Sequence, residues 1–380
     1  MKKSIFIHQL VTIALLLVLF GLPLFQDITR IFTLQQLEGE NRALAKKPKI
    51  DIQQLDKLPP QFTAFYNDNF PFRALFFDFD YRIFLKKSPI SHVIIGKNDW
   101  LFSGTKELRI YQGLESYSEQ ALIHTVQNLE VRRKKYEAMG IKFYIVIAPT
   151  THEVYSENLP SYIVRVKKTL TDKFCEELQN TNIPFIYLKE MLLENKTAGQ
   201  LYQKYDNHWN ELGAYFAYNA TVNLIKKDFP EIPVHTLNDF ELTPEPNKRG
   251  SLINMLNNRY KEKFDDDVCY QVKIRDSNKD WHYVEKAGYP VPEKFPYPDG
   301  FEIVAESPFK KSPRILVFRD SFFNATRLFL HSSFSRSVII WDNWKFQENM
   351  DIILNESPNI VLLFLYEIHI LNLLSDQDAL

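Results

Sequence analysis

Five short runs of almost entirely apolar residues constrain the fold of this chain more than any other feature. They are Lys142–Ala148, Pro184–Leu188, Arg314–Arg319, Ser337–Trp341 and Ile360–Tyr366. Continuous apolar strands, unlike alternating ones, are typical of a parallel sheet that helices cover on both faces. Helical patterns separate the runs, at Ser118–Met139, Val166–Leu178, Glu211–Lys227, Phe322–Leu330 and Lys345–Leu354. This alternation predicts an α/β fold with a parallel sheet.

The N-terminus predicts a membrane anchor. Lys2 and Lys3 precede an apolar run from Ile5 to Phe25, which matches the ~20 residues needed to cross a bilayer. A cleaved signal peptide has a similar layout, but residues 21–26 (GLPLFQ) contain no Ala-x-Ala-like cleavage site. A removed signal peptide and a buried core helix are the alternatives. By the positive-inside rule the N-terminus is cytoplasmic, so we expect an inner-membrane protein whose remaining chain is extracytoplasmic.

Three parts follow from these patterns. Residues 1–26 form the cytoplasmic stub and anchor, and residues 91–380 form the main domain. Residues 27–90 between them form a proline-interrupted juxtamembrane arm with helical stretches such as Gln61–Tyr66 and Arg73–Lys86. Within it, residues 238–313 are rich in Pro, Asp, Lys and aromatic residues and are too long for an ordinary loop. We interpret them as an insertion that flanks a site; a disordered segment and a small β-subdomain are the alternatives.

Composition excludes several classes of protein. The 380 residues carry a net charge of −1, which provides no basic field for nucleic acid. With only two cysteines, Cys175 and Cys269, the chain is neither a disulfide-rich scaffold nor a four-thiolate zinc protein. A single bridge between them stays open.

Ser321 lies where an apolar strand ends and an amphipathic segment begins. In open α/β sheets, sites form at the carboxyl ends of the strands. A Ser at the start of a helix is close to free backbone N–H groups and to the positive end of the helix dipole. An attacking oxygen and its oxyanion need such surroundings. The alternative is a helix N-cap, for which Asp320 and Ser321 are both suited.

His208 and Asp206 form a second candidate cluster, just before a predicted helix. A His can take and return the proton of a serine hydroxyl, and a carboxylate can hold its tautomer. A metal pair made by Asp206 and His208 is one alternative, although further ligands at helical spacing are not evident. A helix cap beside a structural His is the other. If this loop meets Ser321 at one sheet edge, the three form a serine-hydrolase-type triad in the order Asp, His, Ser.

Three neighbours of the candidate triad are candidate binding residues. Trp209 follows His208 and is suited either to stack on a sugar or to pack in the core. Arg319 and Asn324 flank Ser321 and are candidate donors to an oxyanion, beside the backbone N–H of Ser321 itself.

Four patterns along the chain are also informative. Residues 40–42 and 67–73 read ENR and NDNFPFR, residues 94–102 read IIGKNDWLF, residues 206–210 read DNHWN, and residues 318–322 read FRDSF. They resemble the N-terminal pattern, the Gly-Lys-x-x-Trp-Leu-Phe motif, the Asp-x-His-Trp motif and the serine motif of the SGNH hydrolase-like polysaccharide O-acetyltransferases of the AlgJ and AlgX type. The likeness covers most of residues 38–370, and the last two motifs are its specific part.

The resemblance implies a flavodoxin-like, SGNH-hydrolase-like sheet that needs no metal or diffusible cofactor. It implies Ser321 as nucleophile, His208 as general base and Asp206 as its orienting acid. The implied activity is acetyl transfer to hydroxyls of an extracytoplasmic polysaccharide, such as alginate, through an acyl-serine. The implied partners are the polysaccharide and a membrane-bound multi-pass acyltransferase that supplies acetyl groups. Residues 150–153 (TTHE) depart from the pattern, since many relatives carry a Lys there.

Two other functions stay open. A carbohydrate acetylesterase would pass the acyl group to water, and the sequence does not separate it from a transferase. A non-catalytic polysaccharide-binding or scaffold subunit of an export complex is the third hypothesis; the joint presence of Ser321, His208 and Asp206 argues against it.

Overall fold

The computed structural model describes residues 11–13, 21–29, 31, 45–48, 58–70, 92–246, 250–255, 266–276, 280–342 and 345–375. They fall into two compact units, residues 1–95 with 251–263, and residues 96–250 with 264–380. Most of the predicted anchor lies outside the described residues, although 11–13 and 21–29 are helical. Among the residues that are described, no helix combines the length and apolarity that crossing a membrane requires.

The helices and strands are numbered in chain order. The helices are α1 (Leu58–Asn69), α2 (Lys106–Gln112), α3 (Glu119–Ala138), α4 (Thr151–Val154), α5 (Leu170–Leu178), α6 (Lys189–Glu194), α7 (Glu211–Ile225), α8 (Ser251–Asn254), α9 (Phe323–Leu330), α10 (Met350–Glu356) and α11 (Ile370–Ser375). The strands are β1 (Val93–Ile95), β2 (Leu101–Ser103), β3 (Lys142–Ala148), β4 (Phe185–Tyr187), β5 (Phe240–Pro246), β6 (Val268–Ile274), β7 (His282–Tyr283), β8 (Glu302–Glu306), β9 (Arg314–Arg319), β10 (Arg336–Trp341) and β11 (Ile360–Tyr366).

The first unit contains α1, β1 and α8. Its arm residues are tied to the end of α1 by two hydrogen bonds. The backbone N–H of Ala45 donates to the Asp68 carboxylate at 2.8 Å, and the Asn69 side-chain amide donates to the Ala45 carbonyl at 3.2 Å. The predicted helix over Gln61–Tyr66 lies inside α1, whereas the one over Arg73–Lys86 is outside the described residues.

The second unit is built on a seven-stranded sheet of order β4-β3-β11-β9-β10-β8-β7. The first five strands of this order are parallel, and β8 and β7 pair antiparallel at the far edge. All five predicted strands are present, and the predicted parallel α/β fold is confirmed. Because the strands are parallel, the residues that follow β9, β10 and β11 meet at the same edge of the sheet.

The strand order differs from the flavodoxin-like arrangement that we expected. Numbered along the chain, the five parallel strands run 2-1-5-3-4, whereas a flavodoxin-like sheet runs 2-1-3-4-5. The last strand, β11, therefore lies in the middle, between β3 and β9. All seven residues of β11 are buried, and they read IVLLFLY. A strand without a polar face is stable only where helices and neighbouring strands surround it.

Helices cover both faces of this sheet. One face packs against α3, α5, α10 and α11 in a core cluster that includes Val126, Phe174, Ile353 and Leu374. The other face is covered by α7 and α9 and is aromatic. Phe323 of α9 lies edge-on to Phe364 of β11 with ring centroids 4.9 Å apart, and further ring contacts join the two helices.

The predicted insertion over residues 238–313 contains regular structure where it is described. β5 and β6 form an antiparallel pair, and β7 and β8 extend the main sheet beside β10. Both cysteines are free thiols in this structure.

Candidate active site

The loop that carries Asp206 and His208 is closed at its base. Tyr202 and Trp209 form a β-bridge, and the Gln203 N–H donates to the His208 carbonyl at 3.0 Å. The Asn210 side chain then caps α7 by accepting from the Gly213 N–H at 3.1 Å. These local contacts hold the Asp206–His208 segment in one conformation at the start of α7.

Ser321 follows β9, and the buried carboxylate of Asp320 fixes the turn between them. That carboxylate accepts hydrogen bonds from the Phe322 N–H at 3.0 Å, the Tyr366 N–H at 2.5 Å and His369 Nδ1 at 2.8 Å. It thereby connects the end of β9 to the end of the neighbouring strand β11. The Ser321 side chain is set at the same sheet edge, half-buried.

The structure brings Asp206, His208 and Ser321 together in one hydrogen-bonded chain. His208 Nδ1 lies 2.5 Å from Asp206 Oδ1, and His208 Nε2 lies 2.8 Å from Ser321 Oγ. The ionised carboxylate can only accept, so Nδ1 carries the proton and Nε2 accepts from the serine hydroxyl. This is the proton arrangement that a serine nucleophile and its general base require.

The electrostatics of His208 suit a general base. Burial by itself would lower the pKa of His208. Asp206 raises it through its charge and its hydrogen bond, and the charges of Asp320 and Glu107 add smaller contributions. Together they outweigh the effect of burial, so the pKa of His208 is raised. The imidazolium that forms when the base takes a proton is therefore stabilised. The imidazole side chain is still 28% exposed, so a substrate can reach it.

An oxyanion donor lies beside the serine hydroxyl. The backbone N–H of Ser321 has no hydrogen-bond acceptor among the residues that the structure describes, while the next N–H along the chain is used by Asp320. A free amide on the nucleophile's own residue is a common component of an oxyanion hole.

Trp209 and Arg319 have structural positions instead of the binding roles considered for them. The Trp209 side chain is 1% exposed and has no free face for a sugar; its indole N–H donates to the Phe322 carbonyl at 2.9 Å. The Arg319 guanidinium is fully buried, stacks on the Trp341 ring at 4.1 Å and donates to the carbonyls of Asp320 and Gly300. Those expectations were wrong, because both side chains are committed to packing. Asn324 is exposed in the first turn of α9 and stays a candidate.

Sequence reasoning missed Glu107 near the triad, and it considered Asp320 only as a helix N-cap. Glu107 of α2 accepts from Ser103 and Thr105 at 2.7 and 2.8 Å, and the Asn207 amide reaches it at 3.4 Å. Its charge also acts on His208. No sequence pattern singles out Glu107, which precedes Asn207 by 100 residues. Asp320 had a visible sequence signal, since it directly precedes Ser321 at the end of a strand.

The arrangement can perform acyl transfer by a serine nucleophile, and it offers little for a metal ion. Within the described ranges, no group of three or more His, Cys, Asp or Glu side chains is placed to hold one.

Comparison with known proteins supports the same kind of domain. Residues 93–280 match the model of the SGNH hydrolase-like domain of the acetyltransferase AlgX. The chain is 27% identical over 163 residues to the probable alginate O-acetylase AlgJ of Pseudomonas aeruginosa, a match that covers 42% of this chain. It spans about two fifths, 40%, of the length of that relative.

Solved structures share the fold. PatB1 of Bacillus cereus, solved with a sulfonyl adduct, is 21% identical with a TM-score of 0.53, and the match covers 72% of this chain and 94% of that one. A DHHW family protein from Eubacterium siraeum is 18% identical with a TM-score of 0.53, covering 72% of this chain and 89% of that one. The resemblance drawn from the motifs is thus confirmed: residues 93–280 are similar to the SGNH hydrolase-like domain of AlgX, and part of the chain is similar to the probable alginate O-acetylase AlgJ.

Proposed function

We propose that this protein is an O-acetyltransferase that moves acetyl groups through Ser321 to hydroxyls of a polysaccharide outside the cytoplasm. The observation that carries the proposal is the continuous hydrogen-bonded chain from Asp206 through His208 to Ser321. The family supports acetyl as the acyl group, since its members are described as acetyltransferases and O-acetylases.

In the first half-reaction, Ser321 Oγ attacks the carbonyl carbon of an acetyl ester while His208 Nε2 takes the hydroxyl proton. The developing imidazolium is held by Asp206, and the oxyanion by the Ser321 N–H. Collapse of the tetrahedral intermediate breaks the bond to the donor's oxygen, and His208 returns the proton to that leaving group. The product is an acetyl ester on Ser321.

The second half-reaction uses the same groups in reverse. A sugar hydroxyl gives its proton to His208 Nε2 and attacks the acetyl-serine carbonyl. The bond to Ser321 Oγ breaks, and His208 reprotonates that oxygen. Acetyl thus passes from one ester to another, and no oxidant, reductant or metal is needed for the balance.

The cellular setting is part of the proposal. The apolar run over residues 5–25 and the preceding lysines support an anchor in the inner membrane with the catalytic unit on the extracytoplasmic side. A membrane-bound multi-pass acyltransferase would then deliver acetyl groups to Ser321. This partner is proposed from the family resemblance.

The test is acyl-enzyme trapping with a Ser321→Ala variant. Purified protein is incubated with 4-nitrophenyl acetate, with and without an oligosaccharide, and the masses of protein and sugar are measured. We expect one acetyl group on the peptide that contains Ser321, labelling of Ser321 by a sulfonyl fluoride, and acetylated sugar. Ser321→Ala should lose at least about 10³-fold in rate.

Ser116→Ala is the matched control, because Ser116 is an exposed serine in a loop of the same unit. It should behave as the wild type. Acetylation of the sugar at wild-type rate by Ser321→Ala would refute the proposed mechanism. Release of acetate without any acetylated sugar would assign the protein to the esterases.

A further inference from the structure

A cavity of about 280 Å³ lies beside the end of β10, in the second unit. Its wall combines apolar surfaces, among them Tyr289 and Pro292, with polar side chains. At its rim are Lys345 and Asp351, both exposed. The volume is near the lower end of the ~300–1,000 Å³ that is usual for ligand pockets.

The buried part of this cavity holds an unpartnered carboxylate. Asp342 is 9% exposed, and neither of its oxygens has a hydrogen-bond partner among the described residues. The amides of Phe346 and Gln347 lie close enough to influence it but do not meet hydrogen-bond geometry. A buried polar group without a partner is rare, because it gives up its bonds to water and gains none. Asp342 therefore points to a ligand with hydrogen-bond donors.

The cavity is close to the candidate active site. β9 and β10 are neighbouring parallel strands in which Arg319 pairs with Trp341. Asp320 and Asp342 follow these paired residues at the same sheet edge, where adjacent strands are about 5 Å apart. Ser321 comes one residue later. The cavity and Ser321 thus lie at the same edge of the sheet.

We propose that this cavity is a sugar-binding subsite, in which Asp342 accepts hydrogen bonds from a hydroxyl- or amine-bearing unit of the acceptor and which disfavours a uronate. The apolar side of a sugar ring packs on surfaces such as Tyr289 and Pro292, while its hydroxyls meet Asp342, Asp351 and Lys345. When Asp342 is ionised, a uronate would bring its own carboxylate to a pocket with two carboxylates and one ammonium. The inference that the ligand is a sugar rests on the proposed function.

The proposal is tested at about pH 9, where Asp342 is ionised because its pKa is about 8. Purified full-length protein is titrated with three trisaccharides: maltotriose, the glucosamine trimer and the mannuronate trimer. We expect maltotriose or the glucosamine trimer to bind more tightly than the mannuronate trimer. Asp342→Asn should weaken the favoured sugar about ten- to hundredfold, since an ionic acceptor is replaced by a weaker neutral one. Asp280→Asn, an exposed aspartate outside the cavity, is the matched control and should bind as the wild type.

Three results would overturn the subsite: no binding of either favoured sugar up to about 10 mM, mannuronate binding at least as tight, or equal affinity in Asp342→Asn. A thermal melt of Asp342→Asn shows whether a loss of binding is a loss of folding. Because no acetyl donor is present, the result is independent of Ser321 chemistry. Failure of the proposed function would appear instead as missing acetylation in the trapping experiment.

Discussion

Replacing Asp342 by Asn should stabilise the protein, and by an amount that grows with pH. Burial raises the pKa of Asp342 to about 8, from an ordinary 3.8; Arg132 opposes the rise and Asp320 adds to it. In the unfolded chain the carboxyl loses its proton near pH 4. Between about pH 4 and 8 the folded state therefore holds a proton that the unfolded state has released, so stability falls as pH rises.

The size of the effect follows from the same numbers. A difference of about four pH units at about 1.4 kcal/mol each sets an upper limit of about 6 kcal/mol. Mutational experience with buried polar groups gives about 1–3 kcal/mol, and Asn still buries an amide. We expect Asp342→Asn to raise the free energy of unfolding by about 1–3 kcal/mol at pH 8 and to be nearly neutral at about pH 4.

The assay is urea unfolding followed by tryptophan fluorescence at about pH 4, 6 and 8, across the window between the two pKa values. Asp280→Asn should change stability by less than about 0.5 kcal/mol at every pH, as surface substitutions usually do. A gain in Asp342→Asn that is the same at all pH values, or a loss at pH 8, would refute the reasoning. It would mean that the carboxylate is solvated or paired, and the subsite would lose its main support.

Two further predictions concern the loop that carries His208. Asp206→Asn removes the charge that raises the pKa of His208. The rise of activity with pH should therefore move to lower pH, and kcat should fall by on the order of 10⁴-fold. Both effects are measured in the pH profile of ester hydrolysis. An unchanged profile would exclude Asp206 as the partner. Gly250→Ala would place a Cβ 2.2 Å from the Tyr205 carbonyl oxygen, so urea unfolding should show a loss of about 1–3 kcal/mol, and kcat should also fall. Gly300→Ala, whose Cβ would meet Trp341 only at 3.8 Å, is the control; equal stability of the two variants would contradict the argument.

The strands were predictable because their signal is local. β3, β9 and β11 have the predicted ends, since each apolar run stops where its strand leaves the covered sheet. Helix starts were less accurate. α10 begins at Met350 and not at Lys345, because Phe346 and Asn349 have φ values of 52° and 50°, which a helix does not allow.

The position of β11 and the strand β8 were not predictable from local patterns. β11 lies between β3 and β9, although it comes last in the chain, and a hydrophobic run does not specify its neighbours. β8 lies in a segment rich in Pro and charged residues, yet it pairs with β10 over five residues. Its assignment depends on contacts with a strand some 30 residues away. Long-range pairing of this kind is decided by the whole sheet.

The same division between local and distant signals holds for the site. Asp206, His208 and Ser321 could be proposed because their residue types and their places at strand and helix ends are visible in the sequence. Asp320 has a structural role that was not visible, since its partners Tyr366 and His369 are 46 and 49 residues away.

Two hydrogen bonds join the loop that carries His208 to the turn that carries Ser321. Two consecutive residues of the loop bond to two consecutive residues after β9: His208 Nε2 to Ser321 Oγ at 2.8 Å, and the Trp209 indole N–H to the Phe322 carbonyl at 2.9 Å. With the His208–Ser321 bond alone, the loop that carries His208 could rotate about a single contact. The second is buried and therefore exchanges with water only at a cost of about 1–3 kcal/mol. Trp209 thus fixes the position of the His208 imidazole relative to the Ser321 hydroxyl. A tryptophan next to the histidine therefore helps to identify the site, although it is too buried to bind a sugar.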